Sequence, residues 1–176
     1  MTGGLGEQLN QLVGKHRRSG VLLDTNVLLL LLVSRLEPIL VGGKRLESYG
    51  PADAQLLSAF TDQFERLMTT TTVLAETSNL LSQLVKGRRK LSVFERVFPL
   101  FDLSSSGAVK RLGIETLRLD GDVFQRRGYT DSGLVAVLAS TDGFLLTDDL
   151  DLFLQAQRKG VDTVNFTHMR EAAGLL

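Results

Sequence analysis

The sequence predicts an α/β fold built on a central parallel sheet, and three observations carry that prediction. Short apolar runs, VLLD at 21–24, GFLLT at 143–147 and VDTVNF at 161–166, read as strands, the first buried on both faces. Segments of helical periodicity, about ten residues or longer, lie between them. Strands alternating with such helices build parallel sheets with right-handed crossovers.

Residues 1–19 are glycine-rich and polar, with weak periodicity at Leu5, Leu9 and Leu12. They are expected to form a flexible N-terminal tail or short helix, leaving 20–176 as one domain. After the first strand, a leucine-rich helix should start at Asn26 and stop before Pro38. Residues 41–51 hold Gly42, Gly43, Gly50 and Pro51, the signature of an exposed loop. Pro51 then suits the first turn of a helix whose apolar spacing, Leu56, Leu57, Phe60, Phe64 and Leu67, runs through Leu67. In MTTTTVL the β-branched threonines favour a strand, and a threonine N-cap would switch the chain into the helix bearing Glu76. Residues 91–117 read as helix broken at SSSG, and TDSG opens a small-residue helix over 130–140. The strand at 143–147, a helix over 150–159 and the strand at 161–166 complete the series.

Composition narrows the function classes. A 176-residue chain, 43% hydrophobic and 23% charged, is long enough for one core. The absence of cysteine excludes disulfides, thiol catalysis and Cys-ligated zinc, and fits a reducing cytoplasm. His16 and His168 lack a partner at metal-binding spacing and are expected on the surface, so a bound metal would be a hard cation held by oxygen. Zero formal net charge argues against coating nucleic acid by bulk charge, while leaving local basic patches such as KHRR and KGRRK. KHRR before an apolar run imitates a signal peptide, but Asp24 and Asn26 interrupt that run and 27–33 is too short to span a bilayer, so no membrane association is expected.

Acidic residues recur where apolar elements meet turns. Asp24 ends a strand, Glu76 lies in the first turns of a helix, Asp131 opens one, and Asp148 and Asp149 follow GFLLT. Asp131 and Asp149 could each merely cap a helix, and Glu76 could lie on a polar face. Asp24 has no such solvent-facing role, because leucines flank it. In an open parallel sheet the carboxyl ends of strands meet the amino ends of helices along one rim, so these acids can converge there. Convergent carboxylates repel one another unless a cation neutralises them, which Mg²⁺ or Mn²⁺ would do while also accepting phosphate oxygens. The implied chemistry is metal-assisted attack of water on a phosphodiester, with Asn26, Thr147 and Ser132 orienting ligands or waters from behind.

VLLDTN (21–26), LAETSNLL (74–81), YTDSGLVAVLA (129–139) and FLLTDDLDLF (144–153), in that order, resemble the motifs of PIN-domain nucleases. GVDTVNF (160–166) is similar to the last strand of such domains. The resemblance spans about residues 20–167 and implies a three-layer α/β/α sandwich whose acidic rim binds Mg²⁺ or Mn²⁺ and cleaves RNA. It assigns catalytic and metal-binding roles to Asp24, Glu76, Asp131 and Asp149, with Asp148 as a further ligand or substitute and Asp151 weaker. Arg88, Arg89, Lys90, Arg126 and Arg127 would then line a path for the RNA backbone. The chain is longer than the family's VapC-type toxins, which leaves open a toxin with a cognate antitoxin or a stand-alone processing enzyme. A homodimer is also expected from the resemblance, through the leucine-rich helix or the 51–67 helix, whose leucines core burial would explain equally well.

Two other readings compete. A haloacid-dehalogenase or receiver-type phosphoryl-transfer domain also ends its first strand in aspartate, but the former wants an acid where Asn26 stands and the latter wants paired acids and a late lysine. A PIN-like fold kept as a non-catalytic RNA- or protein-binding module would have no reason to keep repelling acids on one rim.

Overall fold

The computed structural model describes residues 3–85, 109–110, 134, 137 and 143–176. Among the described residues the strands are β1 (Val21–Leu23), β2 (Leu67–Thr70), β3 (Val109–Lys110), β4 (Phe144–Thr147) and β5 (Thr163–Asn165). All pairings are parallel, in the order β3-β2-β1-β4-β5. β1 is central because all three of its residues are apolar and buried on both faces. The chain enters it through Gly20, whose φ of 99° and approach to the Arg66 carbonyl exclude a Cβ, which would lie 2.6 Å from that oxygen.

Six α-helices have defined bounds: α1 (Gly3–His16), α2 (Thr25–Leu36), α3 (Pro51–Thr61), α4 (Thr71–Leu84), α5 (Leu150–Arg158) and α6 (Phe166–Ala172). β1 to β2 steps one way across the sheet and β4 to β5 the other, so right-handed crossovers place α2 and α5 on opposite faces. The result is the three-layer α/β/α sandwich expected. In α2 every residue from Val27 to Val33 is buried, because the helix is enclosed by α3, α4 and the sheet. Each such side chain contributes about 2 kcal/mol of burial, which outweighs the cost of one carboxylate at the helix start. Among the described residues no helix is long and apolar enough to cross a membrane.

Several boundaries differ from the sequence reading. The N-terminal segment is no tail: α1 docks through Leu12 and His16, and His16 is 2% exposed rather than on the surface. Its ring lies 5.6 Å from Phe144 and its Nε2 is 2.6 Å from Asp162 Oδ2. The 41–50 loop is only partly exposed, since Leu46 and Tyr49 are buried. The helix expected over 51–67 ends at Thr61. Phe64 mimics helical spacing because it packs on Phe60 and Phe144 from the turn that follows. Val109 and Lys110, within a stretch read as helical, pair with Thr69 and Thr70 as a parallel strand, so tertiary pairing overrides local periodicity. The last apolar run splits into β5 and α6, with Asn165 accepting from the His168 N–H as the cap. The expected switch from threonine-rich strand to helix is present, with Thr70 as N-cap of α4.

Candidate active site at the sheet switch point

Strand order reverses between β1 and β4, and in open parallel sheets the crevice outside the carboxyl ends at that point is where sites are built. Leu23 pairs with Leu146, so the next residues, Asp24 and Thr147, meet at this crevice. Asp24 is 5% exposed and serves as N-cap of α2, its Oδ1 accepting from the Val27 N–H at 2.9 Å. Its Oδ2 accepts from the Thr147 hydroxyl and from the Asp148 N–H at 3.0 Å. Burial nevertheless dominates these three donors and pushes the Asp24 carboxyl up to about 6, with the charge of Asp148 adding in the same direction. Thr147 is fixed in turn, because its oxygen accepts from the Asp149 N–H at 3.0 Å.

The other expected residues divide into four groups. Glu76 is exposed on α4, and its Oε2 accepts from the Thr25 hydroxyl at 3.0 Å, which ties it to the residue after Asp24. Asp149 caps α5 by accepting from the Leu152 N–H at 2.9 Å, so the helix-cap role weighed from sequence is real. Asn26 is exposed on the first turn of α2, and Asp151 is exposed on the first turn of α5. Asp131, Ser132, Arg88, Arg89, Lys90, Arg126 and Arg127 lie outside the described residues. Leu134 and Val137, both helical and buried, agree with the helix expected over 130–140.

Sequence reasoning missed what surrounds Asp148. Its Oδ1 accepts from the Thr167 hydroxyl at 2.5 Å and its Oδ2 from the Tyr49 hydroxyl. Burial and the adjoining Asp148 both push the Tyr49 phenol up, so it stays a proton donor. Behind it Arg170 Nε donates to Asp53 Oδ1 at 2.7 Å and Nη2 to the Ser48 carbonyl at 2.5 Å. The guanidinium also lies over the Tyr49 ring, 5.2 Å from its centroid. A tyrosine and a leucine inside a glycine-rich loop were the available signal that this loop is packed.

The chemistry of this donor set fits a hard divalent cation. The available ligands are carboxylate and hydroxyl oxygens, and a nearby cation would restore the ionised form of a carboxyl that burial disfavours. Among the described residues no three acidic or histidine side chains stand close enough to bind one ion, and Asp131 is not among them. No family model matches this chain, and no curated protein is similar enough to match it.

Proposed function

We propose that this protein is a Mg²⁺- or Mn²⁺-dependent ribonuclease of the PIN type. The observation that carries the reading is the placement of Asp24: a buried carboxyl at the end of the central strand, at the switch point, gripped on both oxygens. On this reading Asp24, Glu76, Asp149 and Asp131 would serve the metal, the three described acids reaching it through water rather than as a preformed three-acid group, and the metal when bound lowers the pKa of water and screens the phosphodiester charge. The chain's own part is orientation. Thr147 and the Val27 and Asp148 N–H groups fix Asp24, Thr25 tethers Glu76, and Thr147 links Asp24 to the start of α5. Rigid placement on strand and helix ends is what such a site requires.

The reading implies a cytoplasmic enzyme with RNA as substrate and, for a toxin, an antitoxin as partner; a homodimer is part of the same proposal. Cleavage of an end-labelled single-stranded RNA in Mn²⁺, abolished by EDTA, tests it. Asp24→Asn should lower the rate at least about a thousandfold, the scale of losing a group on which the chemistry depends. Undiminished cleavage by that variant, or none by the parent protein, overturns the reading. A non-catalytic RNA-binding module is the second reading, favoured by the structural work Asp24 does as N-cap of α2 and as acceptor from the Thr147 hydroxyl. It predicts binding of the same RNA without cleavage.

A further inference from the structure

We infer that Asp148 is a positioning strut for Asp24, locked by Tyr49 and Thr167, rather than a metal ligand. Each Asp148 carboxylate oxygen accepts a hydroxyl, one from the 41–50 loop and one from α6, while its backbone N–H donates to Asp24 Oδ2. The side chain therefore anchors the peptide whose N–H aims the Asp24 carboxylate. Tyr49 and Thr167 arrive from elements far apart in sequence, and Arg170 joins them. Arg170 leaves α6 one turn after Thr167, pairs with Asp53 at the start of α3, and grips the Ser48 carbonyl beside Tyr49. The loop carrying one hydroxyl is thus stitched to the helix carrying the other. Asp148 stands next to Asp149, and the geometry separates their tasks: Asp149 starts α5 and Asp148 ties α6 and the loop to Asp24.

The effect on catalysis rests on the ribonuclease reading; the strut itself does not. The test uses the full chain with Tyr49→Phe and Thr167→Val, singly and together, and Thr167→Ser as the variant that keeps a hydroxyl. Three quantities are measured: exchange of the Asp148 amide proton by NMR, Mn²⁺ affinity by calorimetry, and kcat and KM on RNA. The double variant should speed exchange of that amide about tenfold or more, weaken Mn²⁺ binding about tenfold, and lower kcat about tenfold with KM unchanged, as for other residues that orient ligands from behind. Thr167→Ser should restore all three. If Asp148 were a ligand, removing the Tyr49 hydroxyl would release an oxygen and tighten Mn²⁺ binding, so tighter binding overturns the strut. An unchanged amide and unchanged Mn²⁺ affinity in the double variant also overturn it. Tyr49→Phe keeps the ring under Arg170, and should the double variant fail to fold, this single variant decides on the same signs. Should the parent protein neither bind Mn²⁺ nor cleave RNA, the ribonuclease reading falls while amide exchange still decides the strut.

Discussion

At the carboxyl end of the sheet Asp24 is buried, and its carboxyl is pushed up to about 6 despite three hydrogen-bond donors. At the amino end Asp162, partly exposed just before β5, accepts from Lys15 Nζ at 2.6 Å and lies 2.6 Å from His16 Nε2. The bonds from Lys15 and then His16 hold its carboxyl below the usual range. Both clusters join the first strand's neighbourhood to the later strands, yet one aspartate is held against its charge and the other in favour of it. The difference is the partner: Asp162 meets cationic and imidazole groups, whereas Asp24 meets neutral dipoles and a second carboxylate. A cluster that only fastens a helix ends with its charge compensated. On the ribonuclease proposal, one whose central carboxyl is left short of compensation would be completed by a cation supplied from outside.

The largest effect should come from breaking the scaffold behind the carboxyl rim. Arg170 and Asp53 are each 7% exposed, so Arg170→Met leaves a buried carboxylate without its cation. The expected loss is about 3–5 kcal/mol in urea unfolding. Arg170→Met combined with Asp53→Leu should recover most of it, because the stranded charge is gone. A loss below about 1 kcal/mol for the single variant would mean that the pair does not hold the loop and α6 together.

Next is the pH dependence of Asp24. Its folded carboxyl titrates near 6 and an ordinary one at 3.8, so between those values the folded state binds the extra proton. Stability of the metal-free protein should therefore fall as pH rises from about 4 to 6, by about 3 kcal/mol in all, and stay lowered above that. Asp162 has the opposite sign and another window: its contribution is present above 3.8 and is lost as pH falls through its lower folded value. Urea midpoints at pH 4.5, 5.5 and 7 thus separate Asp24 from Asp162. Asp24→Asn should flatten the slope, and Mn²⁺ should stabilise the parent protein more at pH 7 than at pH 4.5. A slope unchanged by Asp24→Asn would remove the contrast between the two ends.

How far the sequence foretold this arrangement follows from the range of the forces involved. β1 and the helix after it were readable because an apolar run that carries Asp24 fits a buried strand ending at a site and little else, and the threonine run supplied both strand and cap. The Asp24–Thr147 meeting was foreseeable from the rule that strand ends share a rim, since each residue directly follows or closes an apolar run. Tyr49 and Arg170 were not. Their partners lie 99 and 117 residues away, and no local period encodes which side chain a loop residue will find. The burial of His16 escapes the sequence for a related reason: it has no partner at metal-binding spacing, but the helix turns it inward onto Phe144.

The smallest expected effect is the one that tests whether the two ends are independent. Asp162→Asn keeps an oxygen facing His16 Nε2 and removes only the charge beside Lys15, whose side chain is 61% exposed. An ion pair so open to water is worth about 1 kcal/mol or less, so the urea midpoint should move little. The loss should shrink further in high salt, because exposed charges are screened. Mn²⁺ affinity and RNA cleavage should not change, since Asp162 precedes β5 at the end of the sheet opposite Asp24. A drop in cleavage larger than the fraction unfolded would show that docking of α1 is felt through Phe144 and β4 at Thr147. The amino-end cluster would then belong to the same functional unit as the carboxyl rim, and its compensated charge would do more than fasten a helix.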